Sequence, residues 1–323
     1  MEPKSSITCT MSSPLSTLVD NGTLNRLNLS NKSAETFFKE WEGVQEVTKQ
    51  LTYDFSIAQA NADTFRSQEI EGSQLVDIPD LAKRTSGEDE AMKTVNCSEL
   101  QLSENFSVYA TQAPLYHTID DFWQTVFTTD VGAILNLAPI SKGKDFYVPY
   151  FSPLLPVETH FFSITPLKTK VLCDQAIVIT WLKVTNKATD EENIYRHILF
   201  RSWPLDDIPK TFTHIHYLLA LTITLSEGLL IHCSYGCGRT GVFLTLLAFC
   251  FAVLFFDSTA ENFNFSQTIL SLRQQRSPNM LRRFTQYLTV RSFARHFKKN
   301  RFLSLCQETK QHLNYDETEA TSS

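Results

Sequence analysis

The sequence predicts an α/β fold: a single domain in which a twisted, mixed β-sheet is flanked by helices. Three observations carry that prediction. The β-rich runs AIVITWLKVTN (176–186) and YRHILFRSW (195–203) read as adjacent antiparallel strands. A short apolar strand, GLLIHC (228–233), passes through a glycine-rich loop into a long apolar helix. Around these, apolar residues recur at helical spacing. A chain of 323 residues, 42% of them hydrophobic, can bury one large core, and its 24 phenylalanines suggest thick aromatic packing.

Taken in order, residues 1–34 are rich in Ser, Thr, Asn and Leu without a clear period, and are expected to be a disordered tail. The domain is expected over 35–302. SAETFFKEWEGVQEVTKQL places Phe37, Phe38, Trp41, Val44, Val47 and Leu51 on one helical face behind Ser33 as cap. Residues 63–90 are polar and irregular. FSVYATQAPL (106–115) alternates as a strand does, and TIDDFWQTVFTTD reads as a helix from Thr118 with acidic residues in its first turn. VGAILNLAP reads as a buried strand, and THIHYLLALTITLSE as a helix. FSQTILSLRQQRS and FTQYLTVRSFARHF close the domain as helices, and 303–323 are expected to be a C-terminal tail with an acidic end.

Composition excludes several classes. Net charge is -6 with no basic cluster, so no nucleic-acid surface is expected. Seven scattered cysteines give no disulfide framework. The first 22 residues hold no apolar run of signal-peptide length, so a reducing, cytoplasmic setting is expected. GVFLTLLAFCFAVLFF (241–256) is shorter than the ~20 residues that a spanning helix needs. It is expected to be a core helix, with no membrane insertion.

The chemistry concentrates in IHCSYGCGRTG (231–241). Cys233 ends a strand, Arg239 follows six residues later, Gly236, Gly238 and Gly241 break the side-chain pattern, and a helix begins just after. The backbone N–H groups of Ser234, Tyr235, Gly236, Cys237 and Gly238 can wrap a tetrahedral anion at the positive end of that helix. Glycine permits the φ values and the close approach. The same field lowers a thiol pKa, so Cys233 is expected to be a thiolate near neutrality. Arg239 offers a planar fork for two phosphoryl oxygens. Thr240 can donate to the sulfur, and His232 can orient the loop by hydrogen bonding. Cys237 has no assigned role, and a Cys-x3-Cys pair without further ligands does not make a zinc site.

Through this loop and several further segments, the chain resembles the cysteine-dependent protein-tyrosine phosphatases over most of residues 35–302. TQAPLYHTIDDFWQTVF (111–127) is similar to the family segment that runs from Thr-Gln-Gly-Pro into Asp-Phe-Trp. VNCSEL (95–100) stands where the family has its Asn-Ala-Ser strand, SWPLDDIP (202–209) where it has its mobile Trp-Pro-Asp loop, and QRSPNMLRRFTQY (275–287) where it has Met-Val-Gln-Thr and Gln-Tyr. The resemblance implies a phosphatase-like fold and phosphotyrosine-containing proteins as partners. It implies a cysteinyl-phosphate intermediate formed by Cys233 and clamped by Arg239, without metal or other cofactor.

The general acid departs from the pattern. The register of Trp203, Pro204 and Pro209 puts Leu205 at the family's Asp, and Leu cannot transfer a proton. Asp206 is the candidate substitute, or one half of a solvated acidic pair with Asp207. Arg282 stands at the family's water-positioning Gln, either as a surface charge or as a second cation for the anion. Gln74 aligns loosely with the aromatic clamp on the substrate ring, and Tyr235 replaces a small residue and is expected to narrow the pocket. Slow or impaired dephosphorylation is therefore expected. The alternative is a pseudophosphatase that binds phosphotyrosine and holds it.

Overall fold

The computed structural model describes residues 18–87, 91–103, 106–138, 149–204, 208–209 and 211–313. Chain order is α1 (Asn21–Arg26), α2 (Asn31–Gln50), α3 (Ser56–Ala60), β1 (Leu75–Pro79), α4 (Leu81–Arg84), β2 (Met92–Ser103), β3 (Phe106–Gln112), α5 (Ile119–Thr128) and β4 (Val131–Asn136). There follow β5 (Val157–Glu158), β6 (Phe162–Leu172), β7 (Ile177–Asn186), β8 (Glu192–Phe200), α6 (Phe212–Ile223), β9 (Gly228–Cys233), α7 (Gly238–Phe255), α8 (Phe265–Gln275), α9 (Phe284–His296) and α10 (Lys299–Lys310).

One nine-stranded sheet runs in the order β1-β2-β3-β9-β4-β8-β7-β6-β5. Its centre is parallel: β9 lies between β3 and β4, and β4 pairs with β8 in the same direction. Its flanks are antiparallel, including the β7–β8 pair that the sequence predicts. Every residue of β9 after Gly228 is buried, as a central strand covered on both faces requires. The fold is therefore the mixed sheet flanked by helices that the composition of the segments implies.

α7 follows β9 and is long and apolar enough to cross a membrane by length and composition alone. Most of it is buried inside the domain: Val242, Phe243, Leu244, Leu246 and Leu247 are fully covered. It packs against α6, α8 and α9. This apolar surface is satisfied by protein, and the helix fixes the loop at its N-terminus from behind.

The chain ends depart from the expected tails. Asp20 caps α1, its carboxylate accepting from the Thr23 N–H at 2.6 Å. Val19, Leu24, Leu27 and Leu29 are buried, and Ser292 on α9 donates to the Leu27 carbonyl. Four apolar residues spread over a polar stretch left no period to read, yet all four join the domain's core. The cap of α2 is Ser30 rather than Ser33; the Ser30 hydroxyl accepts from the Ser33 N–H at 3.2 Å. At the other end, α10 continues through 310, with Phe302 and Leu313 buried. Phe302 packs against Phe297 at 5.0 Å between ring centroids, and the Leu313 carbonyl accepts from Arg196 Nε at 2.8 Å.

Candidate active site

The loop between β9 and α7 is shaped by two close approaches. Gly236 has φ +68, and a Cβ there would sit 2.2 Å from the Thr111 carbonyl oxygen. Only glycine takes that conformation at that distance without strain. The Gly236 carbonyl is drawn outward by Arg276, whose Nε donates to it at 2.8 Å. Arg276 is fully buried and also donates to Ser98 Oγ at 2.8 Å and Asn96 Oδ1 at 2.9 Å. Asn96 and Ser98 lie on β2, so one guanidinium ties a loop carbonyl to the sheet. Gly241 lets α7 approach Leu281, whose amide nitrogen would be 2.7 Å from an added Cβ.

Cys233 lies at the floor of the loop, 5% exposed, with its thiol pKa lowered. Burial by itself raises that pKa; the Thr240 hydroxyl, the Arg239 charge and the backbone N–H groups of Thr240 and Cys237 outweigh it. The Thr240 hydroxyl is buried with no other bond among the described residues. Arg239 is also buried and donates from Nη1 to the Leu137 carbonyl at 3.3 Å, which anchors its stem. Cys237 caps α7 without a side-chain bond to the helix. Its Sγ reaches the Tyr235 carbonyl at 3.4 Å, and burial raises its pKa, so the two loop thiols are unlike. All six cysteines among the described residues are free.

Behind the loop, His232 is fully buried. Its Nε2 lies 2.7 Å from the Tyr150 hydroxyl, and its Nδ1 lies 3.3 Å from the Cys233 carbonyl oxygen. The same hydroxyl lies 2.7 Å from Nε2 of His197 on β8. Burial holds the His232 pKa down to about 4 and the His197 pKa well below the usual range.

Above Cys233 opens a cleft of about 450 Å³, lined by Cys233, Ser234, Tyr235, Cys237, Gly238 and Arg239 from the loop and by Arg66, Arg282, Arg283 and Gln286 from outside it. Gly236, His232 and Thr240 stand behind the lining and support it. Tyr235 is 44% exposed and forms part of the wall. Arg282 is exposed at the rim, donating to Asn279 Oδ1 at 3.2 Å, while the Asn279 amide donates to Glu69. Four arginines face one carboxylate, Glu69, in a protein of net charge -6. This is the local positive field that an anion site needs.

Some expected residues are elsewhere. Gln74 is exposed beside β1 and does not line the cleft, where the wall at that side comes from Arg66, Ser67 and Glu69. Leu205, Asp206 and Asp207 lie outside the described residues. Their flanks are described: Trp203 is buried edge-on against Phe200, and Ile208 is buried. Among the described residues no three His, Cys, Asp or Glu side chains converge as a metal set. Tyr150, His197, Arg66 and Arg276 were not singled out by the sequence. A lone Arg three residues after Arg273, or a Tyr 82 positions before a His, carries no local signal.

The family model described as protein-tyrosine phosphatase matches residues 79–294. Tyrosine-protein phosphatase non-receptor type 20 of Homo sapiens is 31% identical over 192 residues, which cover 58% of this chain and 43% of that protein. Non-receptor type 18 of Homo sapiens is 31% identical over 209 residues, 63% of this chain and 44% of that protein. The chain thus spans less than half the length of the curated relatives it matches. Among solved structures, the catalytic domain of human type 18 superposes with a TM-score of 0.69 at 24% identity, covering 88% of this chain and 100% of that one. A structure of type 18 in complex with HER2-pY1196 phosphor-peptides gives 0.68 at 22% identity, covering 89% and 98%. At such identities the structural likeness speaks to the fold.

Proposed function

The chain belongs to the protein-tyrosine phosphatase family, and from that premise we propose that it binds phosphotyrosine side chains of proteins at the Cys233–Arg239 loop and removes the phosphate slowly. The observation that carries the reading is the pairing of a depressed Cys233 thiol with a buried Arg239 at the floor of an arginine-lined cleft. Cys233 and Arg239 are the proposed catalytic pair. Ser234, Tyr235, Gly236, Cys237 and Gly238 offer backbone donors, Thr240 serves the sulfur, His232 supports the loop and Arg282 adds charge at the rim. The peptide complexes of type 18 support the class of partner.

In the first step the Cys233 sulfur forms a bond to phosphorus while the phosphorus–oxygen bond to tyrosine breaks. The phenolate leaves and takes a proton. In the second step a water oxygen bonds to phosphorus, the sulfur–phosphorus bond breaks and the thiolate returns. Arg239 and the loop amides stabilise charge on the equatorial oxygens in both steps. The proton for the phenolate is the weak point. Tyrosine has a pKa near ~10, and a missing general acid costs roughly 10²–10⁴-fold. Leu205 stands at the acid's position, with Asp206 as the nearest substitute in sequence.

A second reading rests on the same two departures, Leu205 and Arg282. Here the protein is a pseudophosphatase that holds phosphotyrosine without turnover. Phosphate release from a phosphotyrosine peptide by the full chain and its Cys233→Ser variant, run beside calorimetry with phosphorylated and plain peptide, separates the two. Release that depends on Cys233 supports the enzyme; binding without such release supports the trap. Neither release nor preference for the phosphorylated peptide overturns both. The non-receptor names of the relatives support an intracellular setting, with the cytoplasm as the proposed compartment.

A further inference from the structure

We propose that His197 is a positioning residue for the nucleophile: acting through Tyr150, it selects the tautomer of His232 that holds the Cys233 carbonyl out of the anion cup. The inference rests on the reading of Cys233 as nucleophile and adds a residue that the loop motif does not contain.

His197 on β8 and His232 on β9 are separated by β4, with Ile134 beside the first and Asn136 beside the second. Strands stand about 4.8 Å apart, so two rings two strands apart do not bond directly. Tyr150 spans them, its hydroxyl 2.7 Å from Nε2 of each ring. All three side chains are fully buried. Tyr150 is itself fixed by α5: Trp123 Nε1 donates to the Tyr150 carbonyl at 3.1 Å, and Phe122 lies against its ring at 4.5 Å. Phe151 covers the His197 ring at 3.7 Å between centroids.

The proton count gives the bridge a direction. A carbonyl oxygen only accepts, so the 3.3 Å contact with Cys233 needs a proton on His232 Nδ1. His232 is neutral at physiological pH, which leaves Nε2 bare. It accepts from the Tyr150 hydroxyl, which has a single proton to give. His197 Nε2 must then donate to the Tyr150 oxygen. Its own Nδ1 then carries a lone pair; it has no bond to another residue among the described residues, and its own backbone carbonyl favours the charged ring less than burial disfavours it. The bonds run one way, from His197 through Tyr150 and His232 to the Cys233 carbonyl.

The consequence reaches the cup through a rigid peptide plane. The Cys233 carbonyl also accepts from the Ala113 N–H at 3.0 Å. With two donors behind it, the trans peptide turns the next amide, Ser234 N–H, the opposite way, towards the cleft that Ser234 lines. If His232 takes the other tautomer, a lone pair faces the carbonyl oxygen and the plane loses that hold. The charged and titratable groups facing this line are Arg66 on His232, and Arg239 and Cys237 on Cys233; the test leaves all three in place.

The test uses the full chain. Long-range 15N NMR reads the His232 tautomer, the pH profile of Cys233 alkylation reads the thiolate, and titration with tungstate reads the cup. Wild type is expected to carry the proton on His232 Nδ1. His197→Leu is expected to shift that tautomer, raise the alkylation midpoint by about one pH unit and weaken tungstate roughly tenfold, the worth of one hydrogen bond to a charged group. His197→Gln, whose amide can donate to Tyr150, is expected to restore all three. A wild-type His232 protonated on Nε2 overturns the proposal even if His197→Leu fails to fold. So does a folded His197→Leu with tautomer, midpoint and affinity unchanged. An ordinary thiol midpoint in wild type with no tungstate binding overturns the reading of the loop itself.

Discussion

Arg276 Nε donates to the Gly236 carbonyl at 2.8 Å, across 40 positions of sequence, and thereby ties the anion loop to β2. Arg276→Met keeps much of the apolar volume and removes three charge-assisted donors. Gly236 O, Ser98 Oγ and Asn96 Oδ1 would each lose a bond inside the core. Hydrogen bonds to charged groups are worth about 1.5–3 kcal/mol, and unpaired buried partners cost a similar amount. The expected loss is on the order of 3 kcal/mol in urea unfolding. Tungstate binding at the loop is expected to be lost with it.

Two loop glycines respond differently to a methyl group. At Gly236 the added Cβ meets backbone, the Thr111 carbonyl at 2.2 Å, in a positive-φ residue. Gly236→Ala is expected to cost on the order of 3 kcal/mol or more, measured by denaturant midpoint. At Gly238 the added Cβ meets Gln286 Nε2 at 2.8 Å, the far end of a flexible side chain. Alanine suits the first turn of α7, so Gly238→Ala is expected to stay within about 1 kcal/mol of wild type. Equal losses at the two positions would contradict this geometry.

The direction of the Cys233 pKa shift fixes a pH dependence. Its folded pKa lies below the usual thiol value, so alkylation by iodoacetamide should reach half its maximal rate below the midpoint of a free thiol. Thr240 and Arg239 both lower it, so Thr240→Ala is expected to move the midpoint up. The linked stability is present above the unfolded thiol pKa and is lost as pH falls through the folded one. Cys237 shifts the other way because it is buried, and should react only at higher pH. Labelled peptides quantified by mass spectrometry across pH would distinguish the two thiols.

How much of this was legible depended on the range of each interaction. β7 announces itself through adjacent Val, Ile and Trp residues and β8 through Tyr195, Ile198, Leu199 and Phe200, and Cys233, Gly236, Gly238 and Arg239 stand within seven positions, so both were readable. Tyr150 meets its histidines 47 and 82 positions away, and Arg276 meets Asn96 across 180. No local pattern encodes such pairs. Leu24 and Leu27 carry too little local signal: both are buried in the domain's core, while most of their neighbours in sequence are polar. The register of Trp203 and Pro209 suggests Leu205 at the acid position, and residues 205–207 lie outside the described residues.

The proposed loss of the acid at Leu205 makes the leaving group the sharpest probe of mechanism. Where Asp206 does not stand in as the acid, the departing oxygen must leave as an anion, and the rate of the first step depends steeply on its basicity. p-Nitrophenolate is a far weaker base than the tyrosine phenolate and needs no proton to leave. The wild-type chain is therefore expected to cleave p-nitrophenyl phosphate much faster than phosphotyrosine at equal saturation. Leu205→Asp is expected to raise phosphotyrosine turnover by roughly 10²-fold or more while changing p-nitrophenyl phosphate far less, which compresses the ratio. Pre-steady-state kinetics place the change: a larger burst of p-nitrophenol without faster steady turnover would locate the remaining block in hydrolysis, where Arg282 is the proposed stand-in for the family's glutamine. In that event Arg282→Gln combined with Leu205→Asp should release it. An unchanged ratio in Leu205→Asp would mean that proton supply was never limiting in this cleft.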